Sequence, residues 1–99
     1  MRDILLKAAN IIEEHTWWDG KSPNRLGERR TCIALALFEA GGWSEAHRLV
    51  AGHLGLDLSN SVFGELYRWN DTPGRTKEQV VAVLREVAEK AQSYEKVLV

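Results

Sequence analysis

A single cysteine is the first residue of this sequence that could carry chemistry. Cys32 follows Arg30 by two residues and opens an apolar run. A reactive thiol needs access to its substrate and a lowered pKa, which a helix N-terminus or a nearby cation supplies. Against this, Ile33, Ala34 and Leu35 follow directly, and free cysteines are among the most often buried residues. We therefore predict that Cys32 is a buried structural residue, and that the chain is not an enzyme.

The three histidines do not suit a metal site. Zinc is held by histidine, cysteine or carboxylate ligands at short, regular spacings. His47 and His53 are six residues apart, which places them on different faces of a helix, and His15 is far from both along the chain. We interpret His53, on a predicted apolar face, as a half-buried and hydrogen-bonded side chain. No glycine-rich segment resembles a phosphate-binding loop, and we predict neither a metal nor a cofactor.

Asn70, Asp71 and Arg75 are the best candidates for a polar binding site. They lie in the segment Trp-Asn-Asp-Thr-Pro-Gly-Arg-Thr at residues 69–76. Three functional groups on one ordered turn suit a ligand or a partner. The structural alternative gives each residue a role in the turn, with Asx turns at Asn70 and Asp71, a type II turn at Pro-Gly, and an Asp71–Arg75 ion pair. We favour the structural alternative.

Basic residues are concentrated in the loop from Lys21 to Arg30, and two tryptophans precede it. Aromatic rings stack on bases and arginines hold phosphates, so the loop is a candidate nucleic-acid surface. The same residue types suit a protein partner, with tryptophan anchors and arginines that attract acidic groups. In the structural alternative, a tryptophan covers the helices and the arginines pair with nearby glutamates. The candidate residues are Trp17, Trp18, Arg25, Arg29 and Arg30.

The charge balance of the chain favours a protein partner over nucleic acid. The 99 residues include 13 basic and 14 acidic side chains, a net charge of −1. There is thus no general attraction to nucleic acid or to anionic membranes. The helix that follows Gly41-Gly42 also lacks a basic stripe, since it offers only His47, Arg48 and His53 beside Glu45. We predict a protein-interaction domain, with nucleic-acid binding as the alternative.

The elements that would position these residues are helices. Residues 31–40 read Thr-Cys-Ile-Ala-Leu-Ala-Leu-Phe-Glu-Ala, are rich in helix-forming residues, and end at the pair Gly41-Gly42, where a helix takes a left-handed cap. We predict a central helix from about Glu28 to Ala40, buried on all sides. Three further helices are predicted: from Asp3, as N-cap, to His15, from Ser44 to Gly55, and from Val62 to Trp69. The predicted apolar face of the helix from Ser44 to Gly55 consists of Ala46, Leu49, Val50, His53 and Leu54.

The last helix is predicted to be the longest, from Lys77 to about Val97. Thr76 and Gln79 form a capping box at its start. Apolar residues then recur at alternating spacings of four and three residues, a heptad stripe. Such a helix is roughly 30 Å long, so its last turns extend beyond a small core and offer a surface for a partner or a second copy. The alternative is an ordinary long helix packed along its own bundle. The stripe consists of Val80, Leu84, Val87, Ala91, Tyr94 and Leu98.

Length and composition predict one folded domain over residues 1–99. Apolar residues make up 44% and charged residues 27%, which is typical of globular proteins. One cysteine excludes an intrachain disulfide and suits a reducing compartment. No run approaches the roughly 20 apolar residues of a membrane span. We predict an all-α bundle of about five helices in the cytoplasm, with no membrane contact.

Three short segments form a recognisable pattern. They are Trp18-Asp19-Gly20 after the first helix, Arg30-Thr31-Cys32 before the alanine-rich helix, and Trp-Asn-Asp-x-Pro-Gly-Arg-Thr at residues 69–76 before a Val/Leu-rich helix. This pattern resembles a family of small actinobacterial and actinobacteriophage domains of unknown function. The sequence departs from it at residues 34–36, where a glycine is expected. The resemblance implies no activity, and it implies an actinobacterial or phage-infected cytoplasm as the setting.

Overall fold

Five helices and one short strand pair make up the fold in the residues that the structure describes. The structure is a computed structural model that describes residues 1–14, 16–18, 30–42 and 44–98. For residues 16, 30 and 92–98 it describes the backbone alone. Strands β1 (Thr16–Trp17) and β2 (Arg30–Thr31) pair in parallel. The predicted all-α bundle is confirmed. The helices are α1 (Arg2–Glu14), α2 (Ile33–Glu39), α3 (Ser44–His53), α4 (Val62–Asn70) and α5 (Lys77–Leu98).

The first and last helices pack along each other. The buried residues of α1 recur at helical spacing, and the predicted stripe of α5 is buried as far as Ala91. Lys77 Nζ donates to the carbonyl of Glu13 (2.9 Å), one of the carbonyls left unpaired at the end of α1. Asp3 lies inside the first turn of α1, which begins at Arg2, so its predicted role as N-cap is wrong. Among the described helices, none is long and apolar enough to cross a membrane.

Helix α2 begins later than the sequence predicts. The prediction of a helix from Glu28 is wrong over residues 30–32, because Arg30 and Thr31 pair with β1 and Cys32 is extended (φ −112°, ψ 176°). The carbonyl of Thr31 accepts the N–H of Trp18 (2.9 Å), which holds the chain in this extended form. The predicted burial on all sides is also wrong, since the side chains at positions 35 and 38 are exposed.

Glycines end α2 and α3, as their positions predict. Gly41 adopts φ +92°, its N–H donates to the carbonyl of Phe38 (3.0 Å), and the N–H of Gly42 donates to that of Leu37 (2.8 Å). This is a Schellman cap, in which a left-handed residue satisfies the last carbonyls of a helix. Gly55 (φ +72°) ends α3 in the same way.

The turn from α4 to α5 also has its predicted local geometry. Gly74 has φ +86° and the N–H of Arg75 donates to the carbonyl of Thr72 (3.0 Å), which together define a type II turn. The capping box forms in both directions, from the Thr76 N–H to Gln79 Oε1 (3.0 Å) and from the Gln79 N–H to Thr76 Oγ1 (3.2 Å). Helix α5 therefore starts where the sequence places it.

The buried face of α3 differs from the prediction at three positions. His47 and Ala51 are fully buried, whereas the predicted core residue Leu49 is exposed. A buried imidazole needs a polar partner. His47 has one, since its Nε2 donates to the carbonyl of Ala34 in α2 (3.0 Å). The partner belongs to another helix, so periodicity within α3 does not indicate it.

Replacement of Gly42 by alanine is expected to lower the free energy of unfolding by about 1–3 kcal/mol, as overpacking does. A Cβ at this position would lie 2.8 Å from the Cβ of Ala46, 2.9 Å from Cγ2 of Ile4 and 3.0 Å from the carbonyl oxygen of Leu37. The cause is steric, because Gly42 is not among the glycines with positive φ. Urea unfolding measures the change.

The matched control is Gly52→Ala in the last turn of α3, where the nearest atom to a new Cβ is Leu58 Cδ1 at 3.9 Å. Alanine is favoured over glycine inside a helix, so this variant should gain up to about 1 kcal/mol. Equal stability of the two variants would contradict the close packing at Gly42.

Candidate functional site

Asn70 is fully buried at the end of α4, and its side chain makes four hydrogen bonds. Oδ1 accepts the indole N–H of Trp17 (2.8 Å) and the backbone N–H of Ile33 (3.1 Å). Nδ2 donates to the carbonyl of Trp18 (2.9 Å) and to Oδ1 of Asp71 (3.1 Å). An asparagine amide offers two donor hydrogens and two acceptor lone pairs. All four are used, and their partners come from three separate segments.

These bonds give Asn70 a structural role. The first N–H groups of a helix have no partner within the helix, and the N-cap residue of α2, Cys32, makes no side-chain capping bond. Asn70, in a different helix, supplies the acceptor for one of these N–H groups, because its Oδ1 accepts the N–H of Ile33. The predicted Asx turn at Asn70 is wrong, because its Oδ1 accepts from Trp17 and Ile33, which are far along the chain. The distant partners carry no local sequence signal.

Arg75 contacts the tryptophan that precedes Asn70. Its Nε donates to the carbonyl of Trp69 (3.1 Å), and its Cζ lies 3.9 Å from the centre of the indole ring, a cation–π contact. The predicted Asp71–Arg75 ion pair is wrong, since the guanidinium contacts Trp69 instead. Among the described residues, Asp71 forms no ion pair with any cation.

The structure describes only part of the predicted partner surfaces. Trp17 is half-buried against the core, with its N–H bonded to Asn70, and Trp18 is also half-buried. Much of the Trp17 ring is therefore used inside the domain. Arg25 and Arg29 lie outside the described residues, and only the backbone is described for Arg30, Tyr94 and Leu98.

Cys32 has the environment of a structural thiol. It is 2% exposed, as the apolar sequence around it predicts. Burial raises the pKa of the Cys32 thiol, and the backbone N–H groups of Leu35 and Ala34 offset only part of that effect. The negative charge of Asp71 raises this pKa further. Since the thiolate is the nucleophilic form, these surroundings disfavour nucleophilic chemistry.

The buried histidine belongs to an aromatic cluster on three helices. The ring centres of Phe38 and His47 are 4.5 Å apart, those of His47 and Phe63 are 4.7 Å apart, and those of Phe38 and Phe63 are 5.1 Å apart. Such separations are typical of aromatic pairs that attract each other. The cluster joins α2, α3 and α4. Sequence analysis missed it because the three residues share no element and no spacing.

An exposed apolar surface includes the two phenylalanines of this cluster. Helices α2 and α4 run antiparallel, because Ile33 at the start of α2 contacts Asn70 at the end of α4, and Phe38 contacts Phe63 at the opposite ends. Leu35 in α2 and Tyr67 in α4 therefore lie at the same level along the two helices. We call the surface formed by Leu35, Phe38, Phe63 and Tyr67 the aromatic face.

His53 is half-buried and hydrogen-bonded, as its sequence position indicates. Its Nε2 lies 3.4 Å from Oε2 of Glu86, and its Nδ1 lies 3.3 Å from Nζ of Lys90. Both partners belong to α5, so the contact joins α3 to the last helix. In the part of the chain that the structure describes, no three histidine, cysteine or acidic side chains form a group that could hold a metal ion.

Asn70→Ala is expected to lower the free energy of unfolding by about 2–4 kcal/mol, because the N–H groups of Trp17 and Ile33 lose their buried acceptor. Urea unfolding followed by tryptophan fluorescence measures the change. Asn60→Ala is the control, since its amide bonds Asp57 at an exposed site (3.1 Å) and its loss should stay within about 0.5 kcal/mol. Similar losses in both variants would contradict the structural role of Asn70.

Cys32 is expected to react with a disulfide reagent about 100-fold more slowly in the native chain than in the unfolded chain, since reaction requires local opening. The rates are measured at pH 8 with and without 6 M guanidinium. A native rate close to the unfolded rate would favour a reactive cysteine.

The raised pKa of Cys32 also makes the stability of the domain depend on pH. Because the folded-state pKa is raised, the stability that the buried thiol contributes is present below its ordinary pKa and is lost as the pH rises above it.

Comparison with known proteins identifies a family and no activity. Neither the curated proteins nor the solved structures contain a match to the chain. The model of a family of unknown function matches residues 1–90, which include helices α1 to α4, most of α5 and the residues around Asn70. The predicted resemblance to a family of unknown function is thereby confirmed. The chain belongs to the family of unknown function DUF6197.

Proposed function

We propose that this chain is a protein-binding domain without catalytic activity, and that its partner binds the aromatic face. The observation that carries the proposal is the exposure of Leu35 (38%), Phe38 (36%) and Tyr67 (37%) on adjacent turns of two packed helices. Single exposed apolar residues are common on any protein. Several large ones on one continuous surface are typical of sites for partners.

The rigidity of the aromatic face supports this proposal. Phe38 stacks on Phe63, and the buried His47 contacts both rings. At the other end of the face, the bonds of Asn70 connect α2 to α4. A surface that is already ordered loses little conformational entropy on binding, and aromatic side chains supply much of the energy of protein interfaces.

The surroundings of Cys32 support a function without catalysis. A cysteine nucleophile needs a thiolate and an open approach, whereas Cys32 is buried with a raised pKa. The other candidate groups, Asn70 and Arg75, already have partners within the domain. Two of the three polar candidates are thus used for folding, which favours the exposed apolar surface as the main site for a partner.

The surfaces predicted from sequence stay predictions. One is the stretch from Trp17 to Arg30, where Arg25 and Arg29 would attract an acidic partner. Another is the end of α5, where Tyr94 and Leu98 would contact a partner or a second copy. Nucleic-acid binding through the loop from Lys21 to Arg30 remains the alternative, and it would appear as affinity for DNA or RNA that falls with salt.

The double variant Leu35→Ser/Tyr67→Ser is expected to weaken partner binding at least tenfold, since each truncated interface anchor typically costs more than about 1 kcal/mol. The control is Leu49→Ser/Leu58→Ser, which removes two leucines of similar exposure (40% and 38%) outside the aromatic face. The matched exposure makes the expected effects on stability similar.

A partner is first captured from a lysate of the source cells, then purified, and its affinity for the three chains is measured by calorimetry. Loss of affinity in the Leu35→Ser/Tyr67→Ser variant alone supports the proposal. Equal affinity for all three chains, or no purified partner with a Kd below about 100 µM, refutes it.

A further inference from the structure

Asp71 carries a negative charge at an unfavourable place. It is the C-cap residue of α4, and the negative end of a helix dipole repels a carboxylate. The two nearest cations in sequence do not neutralise it. Arg75 lies over a tryptophan ring, and Nη1 of Arg68 lies 3.6 Å from Oε1 of Glu65. Within the described residues, the hydrogen-bond partner of the carboxylate is the amide of Asn70, which is neutral.

Asp71 lies next to one end of the aromatic face. Its backbone N–H donates to the carbonyl of Tyr67 (2.9 Å), one turn earlier in α4. The pKa of the Tyr67 hydroxyl is raised, mainly by burial and further by the Cys32 thiolate, which forms only at high pH, and by the negative charge of Asp71. An open depression of about 540 Å³ is lined by Tyr67, Asp71 and Pro73, and also by Glu65 and Arg68, which pair with each other. The aromatic face therefore ends beside a half-buried carboxylate with space around it.

We infer that the segment that binds the aromatic face is an amphipathic helix, and that a lysine or arginine of this helix forms an ion pair with Asp71. The inference rests on the proposed function and specifies the partner's chemistry. The anchors are spaced by one helical turn on each side, Leu35 to Phe38 and Phe63 to Tyr67. A helix presents its own apolar residues at the same spacing, so its side chains fit between these anchors.

Electrostatics favours a cation at this end of the bound helix. A neutral or acidic partner would cover Asp71 and remove water from its carboxylate without replacing the lost interactions. A lysine or arginine would pair with the carboxylate and also interact favourably with the negative end of α4. Nucleic acid is a poorer occupant, because its phosphates would be repelled by Asp71. Charge complementarity thus selects a basic amphipathic helix.

The probe is a synthetic 18-residue peptide of leucine and lysine at helical spacing, with a fluorescent label. A second peptide carries glutamate in place of every lysine. Anisotropy gives the affinity of each peptide for the native chain, for Asp71→Asn and for Glu89→Gln, a control that removes an exposed carboxylate of α5. Asparagine retains the Oδ1 that accepts from Asn70, so Asp71→Asn should preserve the fold, and urea unfolding checks this.

We expect the lysine peptide to bind the native chain and the glutamate peptide to bind at least tenfold more weakly. Asp71→Asn should lower the affinity for the lysine peptide about fivefold, as the loss of one partly exposed ion pair does. Glu89→Gln should lower this affinity less than twofold. The affinity of the native chain should also fall more steeply with salt than that of Asp71→Asn.

Equal affinity of the lysine peptide for the native chain and for Asp71→Asn, or equal affinity of both peptides, would overturn the inference. In that case, a loss in Leu35→Ser/Tyr67→Ser would still support the aromatic face, so the two failures are distinguishable. If the lysine peptide does not bind the native chain, or if neither Asp71→Asn nor Leu35→Ser/Tyr67→Ser weakens it, both the inference and the proposed surface are refuted.

Discussion

The hydrogen bonds of one buried amide determine how the central part of this fold is assembled. A buried polar group that lacks a partner costs the full free energy of its desolvation, whereas a satisfied one adds little net stability. Asn70 therefore acts mainly by requiring three segments to meet: the end of α4, the start of α2 and the strand that contains Trp17. Any arrangement that separates them leaves several buried groups unpaired at once.

The same constraint sets the register of the two helices that carry the aromatic face. With Ile33 held at Asn70, antiparallel packing brings Phe38 opposite Phe63 two turns away. Asp71 follows Asn70 directly, so the residue that orders the core also determines where the carboxylate lies. The structural and the proposed functional residues at the end of α4 are thus neighbours in sequence, and a change at Asn70 will affect where the Asp71 carboxylate lies.

Local interactions explain which parts of the fold could be predicted. The caps at Gly41 and Gly55 and the capping box before α5 depend on residues within a few positions of each other, and all were predicted from the sequence. The stripe of α5 that the sequence predicts is buried as far as Ala91, because periodicity along one helix indicates which of its faces is covered. Helix number and type follow from the same information.

Contacts between distant segments explain what could not be predicted. Helix α2 starts at Ile33 because of β1 and Asn70, and neither is adjacent to it in sequence. His47 is buried because another helix offers it a carbonyl. The apolar run of α2 predicts burial at every position, yet no pattern within one helix can show which side its neighbours leave open. The aromatic face lies on that side.

The packing of α1 against α5 also affects the order in which the domain is completed during synthesis. Helix α1 is synthesised before the other described helices, but α5, which covers more of it than α2 does, is made only after the three intervening helices. Until then, its buried residues are exposed to other hydrophobic surfaces, including those of neighbouring nascent chains. Long-range closure of this kind slows folding and lengthens the period in which chaperones protect the chain.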